Sequence, residues 1–258
     1  MAKGSYFQKY REQNEGSTPK IVHNIQLSEE QKKFYEEGRV LLIDKPLHWT
    51  SFDVVRKIRN NIKIKKVGHA GTLDPLATGL LIICTGKFTK KINDYMAREK
   101  EYTGSITFGA VTPTYDLESE PEQFKDVSNI QEADILNYAK SYIGEQWQKP
   151  PVYSAIKKEG TRLYELARRG EDIELEVRKI LISEFEIVKI NLPVIEFRIV
   201  CSTGTYIRSI AHDFGAALGC GGYLSSLRRT AIGEFKVSDA IEIDSWLAQL
   251  QNKKGIES

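Results

Sequence analysis

Little in this chain of 258 residues can cross-link, gather a metal or enter a membrane. It has three cysteines, Cys84, Cys201 and Cys220, set far apart. An odd, sparse set supports no disulfide framework and suits a reducing compartment, so a cytoplasmic location is expected. No C-x-x-C occurs. The four histidines, His23, His48, His69 and His212, do not cluster at ligand spacing, so no zinc site is expected. The longest unbroken apolar run is five residues, 80–84, against the roughly 20 a membrane helix needs. The first twenty residues are polar and lack the apolar stretch of a secretory signal. Excess charge is scarce too: 37 Lys and Arg stand against 35 Asp and Glu, and a net +2 does not by itself point to nucleic acid. Neither G-x-x-x-x-G-K-[ST] nor a strand-linked G-x-G-x-x-G is present, which removes two nucleotide-site readings.

What is present describes a soluble globular protein. Apolar residues make up 41% and charged residues 28%, and the length suits one large domain or one with a small appendage. Residues 1–27 are polar and without period. Ser28, with Gln31 three residues on and Gly38 as a stop, predicts a short helix. Residues 40–43 read as a buried strand. Thr50 to Asp53 reads as a capping box opening a helix with Val54, Val55, Ile58 and Ile62 on one face. Residues 68–79, dense in glycine and proline, read as a loop. Residues 80–84 read as a strand covered on both faces, and 102–108 as a half-buried strand. Residues 112–129 read as an acidic surface loop. A helix opening at Ser128 and Gln131 and closing at Gly144 would turn Ile135, Leu136, Ala139 and Ile143 inward, and another short helix is expected at 161–169. Strands are expected at 180–190 and 194–201. A helix carrying Ile207, Ile210, Ala211, Phe214 and Leu218 on one face should end at Gly219. Strands and helices mix without strict alternation, which favours an α+β class.

Local charge says more than the total. Residues 56–100 carry a net +8, and residues 116–134 a net −6. Either a cationic face or a solvated helix balanced by an acidic loop accounts for this.

The richest segment is Gly68-His69-Ala70-Gly71-Thr72-Leu73-Asp74-Pro75-Leu76-Ala77-Thr78-Gly79. Its glycines allow backbone angles and close approaches that side chains forbid. Pro75 biases Asp74 towards an extended backbone. A lone carboxylate in a stiff loop can serve as nucleophile or base if it is ionised and oriented. An arginine is the best geometric partner for it, and Arg208, Arg228 and Arg229 are the candidates.

The 68–79 segment resembles the signature of the TruB family of tRNA pseudouridine synthases. Lys100-Glu101-Tyr102, 150–157, 160–165, Cys201-Ser202-Thr203-Gly204-Thr205-Tyr206-Ile207-Arg208 and Leu227-Arg228-Arg229-Thr230 resemble its further blocks, in order, over roughly 39–245. The resemblance implies a pseudouridine synthase fold with a mixed, mainly antiparallel sheet flanked by helices. It implies isomerisation of uridine 55 in the T loop of tRNA, with base flipping and no metal, nucleotide or redox cofactor. Asp74 matches the catalytic aspartate, Arg208 the arginine paired with it, and Tyr102 the tyrosine that packs on the target base. His69 resembles the histidine beside the T loop. Lys90 resembles a basic position near the site. Tyr206, Leu227 and Tyr153 look like pocket-wall or substrate positions. Lysines and arginines of 56–66 could meet phosphates.

The expected organisation is an N-terminal extension over 1–38, a catalytic domain over 39–247 and a tail over 248–258, without the C-terminal PUA domain of many members. The expected partner is the tRNA T arm, with no membrane and no obligatory protein partner, and a monomer. The rival readings are a non-catalytic tRNA-binding or folding protein and a guide-dependent relative.

Overall fold

Two capping boxes set the first two described helices of the computed structural model, which describes residues 27–153, 157–158, 161–162 and 175–252. In α1 (Glu29–Glu37) the Ser28 hydroxyl accepts from the Gln31 N–H at 3.1 Å, and the Gln31 side chain accepts from the Ser28 N–H at 2.9 Å. Strand β1 (Val40–Lys45) follows. In α2 (Ser51–Ile62) Thr50 and Asp53 exchange the same pair of bonds, each at 3.0 Å. Both arrangements satisfy N–H groups that the first helical turn leaves unpaired. Helix α2 buries Val54, Val55, Ile58 and Ile62, the face its spacing predicts.

Strands β2 (Val67–Ala70) and β3 (Ala77–Thr85) cut the expected 68–79 loop down to residues 71–76. The glycines at its ends lie within strands. Gly79 shows why one is needed: its φ is +102°, and a Cβ there would come within 2.3 Å of the Arg229 carbonyl oxygen. Strand β3 is antiparallel to β1, from Val40↔Cys84 to Lys45↔Gly79, and to β2, from Val67↔Thr85 to Ala70↔Ile82. Its two faces enter two cores. Leu81 and Ile83 pack with Ile43, Val54, Ile58, Ile62 and Trp246, whereas Leu80, Ile82 and Cys84 pack with Ala70 and Ile232. That double burial explains the unbroken apolar run.

The remaining elements among the described residues are a 3-10 turn (Gly86–Lys91), α3 (Ile92–Met96), β4 (Lys100–Phe108), α4 (Glu132–Ser141), β5 (Gly144–Gln148), β6 (Lys157–Lys158), β7 (Thr161–Arg162), β8 (Arg178–Asn191), β9 (Val194–Cys201), α5 (Ile207–Ala217), β10 (Gly222–Ile232), β11 (Phe235–Lys236), a 3-10 turn (Val237–Asp239), β12 (Ile241–Glu242) and α6 (Ile243–Asn252). Ten strands hydrogen-bond in the order β12-β1-β3-β10-β4-β9-β8-β5, with β2 beside β3 and β11 beside β10. The β1–β12 pair is parallel, and β1–β3, β2–β3, β5–β8, β8–β9 and β10–β11 are antiparallel. The class is α+β, as expected.

The described chain forms two compact units, one of residues 27–102 and 228–252, the other of residues 103–227. The second has an aromatic core: Phe214 meets Tyr138, Phe108 and Phe185 at ring separations of 4.2, 5.3 and 5.9 Å. No helix among the described residues is long and apolar enough to cross a membrane.

Three local expectations are corrected. Helix α4 starts at Glu132 and ends at Ser141, so it is shorter than the 128–144 reading. Leu136 and Ile143 are 42% and 45% exposed rather than inward, because only Ile135 and Ala139 fall on the buried stripe. Thr161–Arg162 pairs as a strand with Lys157–Lys158 instead of opening a helix, and the rest of that expected helix lies outside the described residues.

Candidate active site

Asp74 sits in the short connection between β2 and β3, and side chains from three other elements hold the main chain on both sides of it. Before the acid, the buried Ser51 hydroxyl on α2 accepts from the Leu73 N–H at 2.8 Å and donates to the Leu73 carbonyl at 3.0 Å. After it, the Pro75 carbonyl accepts from the His48 N–H at 2.8 Å and from the Lys45 ammonium at 3.5 Å. The Ala77 N–H closes a turn onto the Asp74 carbonyl at 3.1 Å. From β10, Arg229 donates to the carbonyls of Leu80, Gly71 and Thr72 at 2.8, 3.1 and 3.4 Å. A carboxylate on so constrained a backbone is oriented before any substrate arrives.

The electrostatics of this unit come from two buried cations. Lys45 is fully buried and Arg229 is 1% exposed. The Lys45 ammonium donates to the carbonyls of Trp49 and Pro46 at 2.6 and 2.8 Å. Burial pushes its pKa down to about 8; the Asp74 carboxylate opposes that shift, and the Arg229 guanidinium adds to it. Loss of hydration disfavours the ammonium form, and the neighbouring negative charge restores part of what it loses. His69, half-buried on β2, is held below its ordinary value by burial and then by Arg229, against a hydrogen bond with the Gly71 backbone. A neutral imidazole of this kind suits stacking or hydrogen bonding to a base rather than pairing with phosphate. Arg228, one of the candidate partners for Asp74, instead binds Asp44 through two bonds at 2.6 and 3.0 Å and reaches Thr78 at 3.4 Å. Tyr102 is buried on β4 at 8% exposure, and Lys90 is exposed in the 3-10 turn after β3.

The second unit carries the other expected residues. Arg208 lies in the first turn of α5 and is 5% exposed. It donates to the Thr114 and Tyr153 carbonyls at 3.0 Å each, and its Nε lies 3.6 Å from the Asp116 carboxylate. Tyr206 caps α5 from outside, with its N–H donating to the Gln148 side chain at 2.8 Å and its carbonyl accepting from it at 3.0 Å. Arg208, Tyr153 and Tyr206 therefore form one local constellation at the head of α5. Leu227 is half-buried on β10. Asp74 and Arg208 belong to different units.

Several members of these constellations escape a reading of the sequence. Asp116 sits in the stretch expected to be acidic surface loop, yet it is 4% exposed. Its carboxylate accepts from the Thr114 hydroxyl at 2.7 Å and from the Glu118 N–H at 3.0 Å. Lys45 and Ser51 carried no chemical motif. The available signals were a lone lysine ending an apolar strand before Pro46, and a serine directly after a helix cap. Among the described residues no group of three or more His, Cys, Asp or Glu side chains gathers where a metal could be held.

Comparison with known proteins assigns the chain. The model of the TruB family pseudouridylate synthase N-terminal domain matches residues 59–207, and that of the tRNA pseudouridylate synthase B C-terminal domain matches residues 208–258. A tRNA pseudouridine synthase B from Flavobacterium johnsoniae is 56% identical over 224 residues, covering 84% of this chain and 98% of the relative. One from Chloroherpeton thalassium is 49% identical over 219 residues, covering 83% and 91%. Among solved structures, a chain in a Cbf5-Nop10-Gar1 complex is similar at 26% identity and a TM-score of 0.66. That match covers 90% of this chain and 64% of the other. A chain of an archaeal box H/ACA sRNP Nop10-Cbf5 complex is similar at 25% identity and a TM-score of 0.62, with coverage of 84% and 54%. This chain thus spans about half to two thirds of those structural relatives. The matches run through the loop that holds Asp74 and through the head of α5, and the chain belongs to the TruB family of pseudouridylate synthases.

Proposed function

We propose that this enzyme converts uridine 55 in the T loop of tRNA to pseudouridine, with Asp74 as the nucleophile. The observation that carries the reading is the Asp74 loop: a carboxylate whose flanking backbone is fixed by Ser51, Lys45, His48 and Arg229, in a chain whose curated relatives are named tRNA pseudouridine synthase B. The reaction is an isomerisation. The bond between the sugar C1′ and N1 of the base breaks, the base turns, and a bond forms between C1′ and C5; the bond that Asp74 makes to the nucleoside forms and breaks within this cycle, which regenerates the carboxylate. C5 then gives up its hydrogen as a proton, and N1 gains one. Atoms and electrons balance within the nucleoside and solvent, so the chemistry asks for no redox partner. A fixed acid suits it, because the departed base must be recaptured at a second atom before it diffuses away.

The other residues take supporting roles. Reaching a base inside a folded loop requires flipping it out, at a cost of a few kcal/mol. In this reading Tyr102 packs on the flipped uracil, and His69 meets the loop it leaves. Arg208 supplies a guanidinium to the reaction, held from within its own unit by the Thr114 carbonyl and the Asp116 carboxylate. Tyr153, Tyr206 and Leu227 line the substrate path, and Lys90 contributes phosphate contact.

The test is tritium release from C5-labelled uridine in a T-arm stem-loop, using the protein alone. The wild type should release label, and Asp74→Asn should bind the RNA and release none. Binding without release by both proteins would replace this reading with a non-catalytic binder or a guide-dependent relative.

A further inference from the structure

Tyr115 is a large residue in a left-handed backbone, with φ +65°. Side chains other than glycine, asparagine and aspartate rarely accept that region, and an aromatic residue there is a clear outlier. Something must hold it. The ring of Tyr115 stacks on the imidazole of His212, with centroids 3.9 Å apart and planes 14° apart. Backbone bonds fix the same turn: the Tyr115 N–H donates to the Thr112 carbonyl at 3.1 Å, and its carbonyl accepts from the Leu224 N–H at 3.0 Å.

His212 and Arg208 lie four residues apart on α5, one turn from each other on the same side. Arg208 takes the Thr114 carbonyl and approaches the Asp116 carboxylate, while His212 takes the ring between them. One helix face therefore grips three consecutive residues, 114, 115 and 116. We infer that the Tyr115–His212 stack is a positioning device: it holds the left-handed turn that aims Asp116 at Arg208 and so fixes the guanidinium used in the reaction. The inference rests on the proposed role of Arg208. It assigns Tyr115 no contact with RNA, since one face of its ring is already covered by His212.

A backbone role and a contact role predict different orders of variants. Glycine accepts φ +65° without a side chain, so Tyr115→Gly should keep the turn better than Tyr115→Ala. Tyr115→Phe keeps the stack and should stay within about twofold of the wild type in kcat. Tyr115→Ala should lose roughly five- to tenfold in kcat with KM nearly unchanged, from the strain of alanine in that region. Tyr115→Gly should fall between them. His212→Ala should resemble Tyr115→Ala, and His212→Phe, which can still stack, should recover most of the loss.

The Nε–H resonance of Arg208 in the full-length protein gives a readout independent of turnover. It should move in Tyr115→Ala and His212→Ala and hold in Tyr115→Phe. An unmoved resonance with unchanged kcat in Tyr115→Ala overturns the inference. Equal losses in the Gly and Ala variants with a raised KM also overturn it, in favour of a ring that touches substrate. If the wild type proves inactive on the T arm but the resonance follows the stated order, the positioning device stands and the functional reading falls.

Discussion

The Lys45 ammonium offers a stability measurement with a definite sign. The residue is fully buried, and burial brings its pKa from 10.5 to about 8, with Asp74 resisting the shift. In the unfolded chain the same lysine keeps its proton up to about pH 10.5. Below pH 8 both states are protonated, and the full cost of burying the charge is present. Between pH 8 and 10.5 the folded protein releases the proton while the unfolded chain holds it, so this group's contribution to stability rises with pH. Integrating the difference from pH 7 to pH 10 gives about 2–3 kcal/mol in favour of the folded state. Lys45→Met removes the titration and keeps an apolar stem of similar length. Urea unfolding of both proteins at pH 7 and pH 10 isolates the effect, because every other titrating group is common to the pair. The gap between wild type and Lys45→Met should shift by about 2–3 kcal/mol towards the wild type, or roughly 1 M in midpoint at a slope of about 2–3 kcal/mol per molar. A gap that stays constant with pH, or widens as pH falls, would refute the assignment of Lys45 as a buried cation straining against desolvation.

Two further substitutions examine the loop from the other side. Arg229→Met removes three donors to carbonyls at 2.8–3.4 Å, and it should cost about 2–4 kcal/mol in urea unfolding; because the Arg229 charge helps to depress His69, the same variant should raise the His69 pKa in an NMR titration. An unchanged midpoint and an unmoved His69 would remove Arg229 from the account. Gly79→Ala combines a left-handed backbone with a Cβ 2.3 Å from the Arg229 carbonyl oxygen, so a loss of about 2–5 kcal/mol is expected, and a loss below about 0.5 kcal/mol would contradict the packing described at that position.

Much of the first unit is legible because its signals are local. Ser28 with Gln31 and Thr50 with Asp53 announce helices through contacts three residues apart, and both capping boxes form. The run 80–84 announces a strand covered on both faces because no solvent-facing position interrupts it, and β3 divides its side chains between two cores. Strand β10 gives no such signal. Its Arg229 breaks any apolar alternation, and the guanidinium is accommodated only by carbonyls about 150 residues earlier in the chain. Asp116 was hidden for the same reason: an acid among acids reads as surface, and the arginine that buries it is 92 positions on. Leu136 and Ile143 misled in the opposite direction. Apolar residues at helical spacing suggest a buried stripe, but α4 is only ten residues long, and Ile143 lies beyond its end.

The pattern around Asp74 also explains why the sequence draws attention to the acid but not to its supports. An acid in the proposed role serves through its side chain, and the segment around it carries a motif of glycines and proline. Lys45, Ser51 and Arg229 act on main-chain atoms, and any carbonyl or N–H will serve them equally. Nothing in the 71–76 sequence has to match them. What must match is distance: β1 ends with Lys45 opposite Gly79, α2 opens with Ser51, and β10 runs close enough past Gly79 to forbid a Cβ. Orientation of the acid is therefore a property of how β1, α2 and β10 converge on one short connection. A substitution that shifts any of the three should disturb Asp74 without touching it.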